Sequence, residues 1–152
     1  MSTPEERLAE LGLTVPEVAA PVAAYVPAVR SGNHVFTSGQ LPMRDGQLLM
    51  TGKVGGEVTE EEAYECAQQC ALNAIAAVNS LVGDLGAFKR IVKVTVFVAS
   101  TPDFTGQPQV ANGASELFGA VFGDAGQHAR SAVGVPVLPL DSPVEIELVV
   151  EV

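Results

Sequence analysis

The sequence predicts an α+β fold in which two helices pack on one face of a sheet, and three features predict that class. Residues 90–100, "RIVKVTVFVAS", and 143–151, "PVEIELVVE", alternate apolar and polar side chains as half-buried strands do. Residues 59–86, "TEEEAYECAQQCALNAIAAVNSLVGDLG", repeat apolar residues at helical spacing behind an N-terminal cap. Near the start, β-favouring residues flank "RSGN" at 30–33, a turn-forming stretch suited to a tight hairpin. A chain of 152 residues is long enough for one domain with a sizeable core and short for two.

In chain order, Thr3 as N-cap, Pro4 at the first helical position, Glu6 three residues after the cap and Gly12 as a stop predict a short amphipathic helix. Residues 15–22 hold two prolines and are expected to run extended, so that 1–22 form a helix and lead-in and 23–152 the single domain. Strands follow over 25–30 and 34–38, and a short third near 47–54 precedes the Gly55-Gly56 break. The helix from Thr59 opens on a capping box with Glu62, and its many small residues predict close packing on a sheet. In the strand at 90–100, Val92, Val94, Val96 and Val98 form the expected buried face. A second helix over 108–121 is interrupted by two glycines, and strands at 129–137 and 143–151 read as a terminal hairpin, the sixth strand completing the sheet.

In that hairpin, Val144, Ile146, Leu148 and Val150 are expected to face the helices, matched by Val133, Val135 and Val137. Arg130, Ala132, Glu145 and Glu147 then share the opposite face with apolar Ile91, Phe97 and Val149. Such a mixed face predicts contact with other subunits.

Eight Lys and Arg stand against eighteen Asp and Glu, a net charge of −10, which argues against nucleic-acid partners because no basic patch is present to displace phosphate counterions. No apolar run is long enough for a membrane span, and the acidic N-terminus is unlike a secretory signal, so a cytoplasmic location is expected. Cys66 and Cys70 lie one helical turn apart and read as buried apolar residues, with neither a disulfide nor a metal expected.

Arg130 is one of few cations and sits in a largely apolar run, "HARSAVGVPVLPLD". Two readings of it are open. One is an ion pair across the hairpin with Glu145 or Glu147; the other is a guanidinium that forks around a small carboxylate ligand through paired hydrogen bonds, which Lys cannot supply. Four to six residues of strand between Arg130's partner and Glu145 amount to roughly 13–20 Å, long for one small ligand, so the two are expected to act from different subunits.

The stretch "ARSAVGVPVLPLDSPVEIE" resembles the Ala-Arg-Ser and Glu-Ile-Glu strands of the reactive intermediate deaminase (RidA/YjgF) family. "AAYVPAVRSGNHVFTSGQLP" resembles its first hairpin and "VKVTVFVAS…DF" its central strand, and the first ~20 residues are similar to an extension in a longer branch of the family. The resemblance implies a chorismate-mutase-like fold, a six-stranded mixed sheet assembled as a homotrimeric barrel with clefts between subunits. It also implies cofactor-independent hydrolysis of 2-imino or enamine acids to 2-keto acids and ammonia. By position, Arg130 would bind the substrate carboxylate with help from the Gly39 N–H, Glu145 would hold the attacking water, and Tyr25, Ser38, Ala132 and Asn112 would line the cleft. Ala132 stands where the family commonly has Cys, His128 where it often has Pro, and Pro27 where it has Gln.

His128 reads either as a proton donor to departing ammonia or as a strand-edge histidine. Tyr25 is equally a packing ring on pattern alone, and Asn112 a local helix cap. The rival functions are a non-catalytic trimer that binds a small carboxylate metabolite and, less favoured by the charge, a ribonuclease.

Overall fold

A computed structural model describes residues 2–19 and 24–152. Helix α1 (Pro4–Glu10) carries the reciprocal cap that its Thr-x-x-Glu spacing predicts: Thr3 accepts from the Glu6 N–H, and the Glu6 carboxylate accepts from the Thr3 N–H. The lead-in has neither helix nor strand as far as Ala19; its remainder to residue 22, with the expected domain boundary, lies outside the described residues. Strands β1 (Ala28–Ser31) and β2 (His34–Thr37) form the expected first hairpin, with Tyr25 ahead of β1 instead of inside it. Next come β3 (Met43–Arg44), β4 (Gln47–Leu48), α2 (Glu60–Val82), β5 (Arg90–Ala99), α3 (Gln107–Phe122), β6 (Ala129–Val135) and β7 (Val144–Glu151).

The main sheet has five strands in the order β1-β2-β7-β5-β6, not six. Of the segment expected as the third strand, 47–54, only Gln47–Leu48 forms a strand, β4, and it pairs outside the main sheet with β3 just before it, through Asp45 and Gly46, whose φ values of 54° and 81° are those of a tight primed turn. The sheet is mixed: β6 pairs parallel to β5, and the other neighbours are antiparallel.

The terminal hairpin does not form. The central strand β5 lies between β6 and β7, so no ladder joins Arg130 to Glu145 or Glu147. Val94 is in register with Arg130 on one side and Leu148 on the other, and Phe97 with Val133 and Glu145. Val94 and Leu148 are buried beneath the helices, so Arg130 and Ala132 lie on the helix side, while Glu145 and Glu147 lie on the outer side with Val133. The expected grouping of Arg130 with the two carboxylates is thereby overturned, as is the placing of Val133 and Val137 in the core; they are 44% and 62% exposed. A bulge at Val92 between the Ile91 and Lys93 pairings reverses parity at the start of β5, which buries Ile91 and turns Val92 away.

The inward residues Val35, Ile91, Val94, Val96, Val98, Val144, Ile146, Leu148 and Val150 are all nearly or completely buried. Each contributes about 1.5–3 kcal/mol of transfer free energy. Helix α2 is covered on one side by β1, β2 and β7 and on another by α3, which is why its middle, from Ala63 to Val78, is almost wholly buried and rich in alanine. Its capping box on Thr59 and Glu62 forms as expected, and Gly83 ends it in the left-handed conformation. No helix among the described residues is long and apolar enough to cross a membrane. The outer face of the sheet carries exposed Val29 and Phe36 at the β1-β2 edge and exposed Val133 on the opposite edge strand, β6.

Gly113 sets the spacing of the two long helices, because a Cβ there would overlap the Tyr64 carbonyl oxygen and crowd Ala67. Replacing Gly113 by Ala gains about 1 kcal/mol of helix propensity, but overpacking against backbone costs about 1–3 kcal/mol. The Gly113→Ala protein is therefore expected to unfold at lower urea concentration than the wild type; an unchanged or higher midpoint would show that the helices can separate freely.

Candidate functional site

Arg130 reaches inward from the edge strand β6 to α3. Its Nη1 donates to Asn112 Oδ1 at 2.8 Å and to Ser115 Oγ at 3.1 Å. Asn112 and Ser115 are three residues apart and so share one helix face, with α3 fixed in height by its packing on α2. Both partners are neutral, and no carboxylate among the described residues lies within 4.0 Å of this guanidinium. The ion-pair reading of Arg130 is thus excluded within the described chain. Its Nε and Nη2 edge makes no hydrogen bond to a described residue, leaving two parallel donors of the kind a carboxylate accepts.

Glu145 occupies a separate pocket on the other side of β5, with Tyr25, Pro27, Gly39, Leu41 and Leu140 around it. Gln40 pairs with Ile146 in both directions (2.7 and 3.0 Å), which holds Gly39 alongside Glu145. A Cβ on residue 39 would overlap the Glu145 carboxylate, so glycine is what lets the carboxylate lie against the backbone there. The Gly39 N–H has no partner among the described residues. Burial raises the Glu145 pKa above the ordinary carboxylate value, and the like charge of Glu147 adds to the rise. Leu140 and Asp141 at the rim both adopt positive φ, 60° and 59°, and the Asp141 carboxylate is tied to Lys53.

Tyr25, Gly39 and Glu145 therefore meet in one pocket, and Arg130 and Asn112 meet in another place. From the register, Arg130 and Glu145 are offset by three residues along the sheet and two strands across it, roughly 14 Å between backbones, and they point to opposite faces. Asn112 is Arg130's partner and not a local cap. Ser38 Oγ donates to the Val26 carbonyl at 2.6 Å and steadies the first hairpin. Ala132 sits beside Val96, packed against the core.

His128 has both ring nitrogens engaged, Nδ1 with the Gly126 carbonyl at 2.6 Å and Nε2 with Ser115 Oγ at 2.8 Å, so neither is free to serve a leaving group. Cys66 and Cys70 are buried and free; burial pushes the Cys66 thiol up to about 12 and the Cys70 thiol well above its usual value, so neither is a nucleophile at neutral pH. Sequence reasoning missed Ser115, whose only local signal is its spacing three residues after Asn112 on a helix. It also missed the apolar pocket wall of Leu41 and Leu140.

Residues 5–152 match the family model described as "YjgF/chorismate_mutase-like, putative endoribonuclease". The chain is 46% identical over 145 residues to Protein TCP17 of Trypanosoma cruzi, covering 95% of this chain and 91% of that one. It is 32% identical over 138 residues to the 2-iminobutanoate/2-iminopropanoate deaminase of Dermatophagoides farinae, covering 91% and 93%. The crystal structure of Atu1372, a protein of unknown function from Agrobacterium tumefaciens, superposes with a TM-score of 0.91 at 45% identity, over 99% of this chain and 92% of that chain. With the arginine and glutamate strands in place on a mixed sheet under two long helices, this chain belongs to the YjgF/chorismate-mutase-like family, which includes the RidA deaminases.

Proposed function

We propose that the protein hydrolyses a small 2-imino carboxylate, or the enamine in equilibrium with it, to a 2-keto acid and ammonia, in clefts between the subunits of a homotrimer. The observation that carries this reading is the Arg130 guanidinium, oriented by neutral partners and left with an unpaired two-donor edge. A relative named as a deaminase of 2-imino acids supports the substrate class. Because Arg130 and Glu145 of one chain face opposite ways, the reading joins Arg130 of one subunit to Glu145, Gly39 and Tyr25 of its neighbour. The exposed Val29, Phe36 and Val133 on the outer sheet face support burial of that face between subunits.

In the proposed reaction Arg130 grips the carboxylate and so fixes the imine carbon beside a water held by Glu145. Glu145 accepts a proton as the water oxygen bonds to that carbon, the C=N π pair moves onto nitrogen, and the nitrogen, already protonated in the iminium form of the substrate, becomes an amine. The C–N bond then breaks with protonation of the departing nitrogen, the hydroxyl proton is released, and ketone and ammonia leave. Proton transfer of this kind contributes ~10²–10⁴-fold. No organic cofactor or metal enters the scheme, and a cytoplasmic location belongs to the same reading. A second reading, a non-catalytic carboxylate binder, is favoured by one observation: both ring nitrogens of His128 are engaged, so this histidine offers no proton to a departing amine. The ribonuclease reading remains the least favoured at a net charge of −10.

Three outcomes follow from this scheme. Arg130→Ala should weaken binding of pyruvate, a product analogue, by ~10²-fold as measured calorimetrically, since charged hydrogen bonds are lost. Pyruvate bound equally well by the variant would remove the basis of both the enzymatic and the binding readings. Mixed trimers of Arg130→Ala and Glu145→Gln chains should regain imine hydrolysis that each homotrimer lacks, whereas sites built within one chain would stay dead in every mixture. Finally, Glu145 must be ionised to accept a proton, so its raised pKa places the acid limb of the kcat/KM profile above the ordinary glutamate value. Glu147→Gln removes a like charge and should move that limb to lower pH; a limb unmoved by this change would mean that another group governs it.

A further inference from the structure

Arg130, Ser115, His128 and Gly126 form one hydrogen-bonded chain, which runs in a single direction when the imidazole is neutral. The Gly126 carbonyl only accepts, so His128 Nδ1 carries the hydrogen of their 2.6 Å contact. The Arg130 Nη1 only donates, so Ser115 Oγ is the acceptor of that bond at 3.1 Å. The Ser115 hydroxyl keeps its own hydrogen, and in the neutral imidazole that carries its hydrogen on Nδ1, His128 Nε2 at 2.8 Å is the acceptor for it. Every group is satisfied: arginine to serine, serine to histidine, histidine to the carbonyl. The imidazole is held in place by Phe118, whose ring meets it edge-on with centroids 5.8 Å apart.

We propose that Ser115 and His128 are positioning residues for Arg130, forming a neutral relay that fixes one edge of the guanidinium and turns the other toward the ligand carboxylate. This rests on the reading of Arg130 as the carboxylate-binding group. The neutrality of the relay is what makes it useful. A carboxylate partner would hold the arginine as firmly but would cancel its charge and compete with the ligand for the same donors. Serine and histidine orient the cation and leave its charge for the substrate. Asn112 alone cannot do this, because one acceptor leaves the guanidinium plane free to turn about that bond, and Ser115 supplies the second point.

The test uses the intact protein, with Ser115→Ala, Ser115→Thr and His128→Phe, the last keeping a ring against Phe118. Nitrogen-detected NMR of the free protein reads rotation of the Arg130 guanidinium, its signal identified by its loss in Arg130→Lys. Wild type and Ser115→Thr should show separate Nη1 and Nη2 resonances, and Ser115→Ala and His128→Phe a single averaged one. In the same two variants the Kd for pyruvate and the KM for a 2-imino acid should rise about tenfold while kcat changes little, as expected for loss of about one hydrogen bond's worth of orientation. Separate resonances and wild-type pyruvate affinity in both Ser115→Ala and His128→Phe would overturn the relay, as would an averaged signal in the wild type. The NMR measurement needs no ligand. If wild type binds no pyruvate, the deaminase reading fails, and merged resonances in Ser115→Ala still support the relay.

Discussion

The parallel pairing of β6 with β5 is the constraint on which the rest of the molecule depends. It inserts the central strand between the two chain-terminal strands, and so puts Arg130 under the helices and Glu145 on the exposed side of the same sheet. A parallel connection needs a long crossover, and α3 supplies it between β5 and β6. That same helix then carries Asn112 and Ser115 to the arginine. The crossover is thus both the topological link and the support of the guanidinium. Displacing α3 by even a small amount would spoil two hydrogen bonds at once, and for that reason the close contact of Gly113, the neighbour of Asn112, with α2 bears on the site.

The two halves of the candidate site are built differently. Around Arg130 the protein supplies polar neutral groups that point one way, which fixes a cation without neutralising it. Around Glu145 it supplies apolar walls, a bare glycine and a neighbouring carboxylate, which make ionisation harder. One half is suited to hold a permanent negative charge and the other to exchange a proton. Burial and like charge pull the Glu145 pKa toward the range where a base can both accept and return a proton. Joined across a subunit boundary, as the proposed reading has them, they would match an anionic, electrophilic substrate and its attacking water.

How much of this could be read from the sequence depends on whether the deciding contact is local. The caps of α1 and α2 rest on pairs three residues apart, Thr3 with Glu6 and Thr59 with Glu62, and both form as the sequence predicts. The first hairpin likewise follows from its own turn. Strand faces depart from the sequence-based expectation where a non-local choice intervenes: the alternation of β6 says that Arg130 and Val133 face opposite ways, but only the pairing with β5 says which of them meets the helices. At Val92 one unpaired residue reverses the parity, which no pattern of valines reveals. In the site, the family resemblance groups Glu145, Gly39 and Tyr25 from three separate segments, and the fold brings all three to one pocket. Ser115 carries no such signal, because its meaning arises only when α3 returns over β6.

An acidic chain would seem a poor receptor for an anionic ligand, and the geometry shows why net charge does not decide the matter. At physiological ionic strength the field of a distant surface carboxylate fades within ~8 Å. The described acidic residues are spread over the surface, with Glu60, Glu61 and Glu62 at the start of α2, while Arg130 has no carboxylate within 4.0 Å. A ligand at the arginine therefore meets an uncancelled cation at hydrogen-bond range and a screened negative background beyond it. The short-range term wins because two charge-assisted bonds outweigh a screened repulsion. Placing Glu145 on the opposite face of the sheet extends the same logic. Had the two been neighbours in one chain they would have paired permanently, and their separation leaves the guanidinium without a carboxylate partner among the described residues.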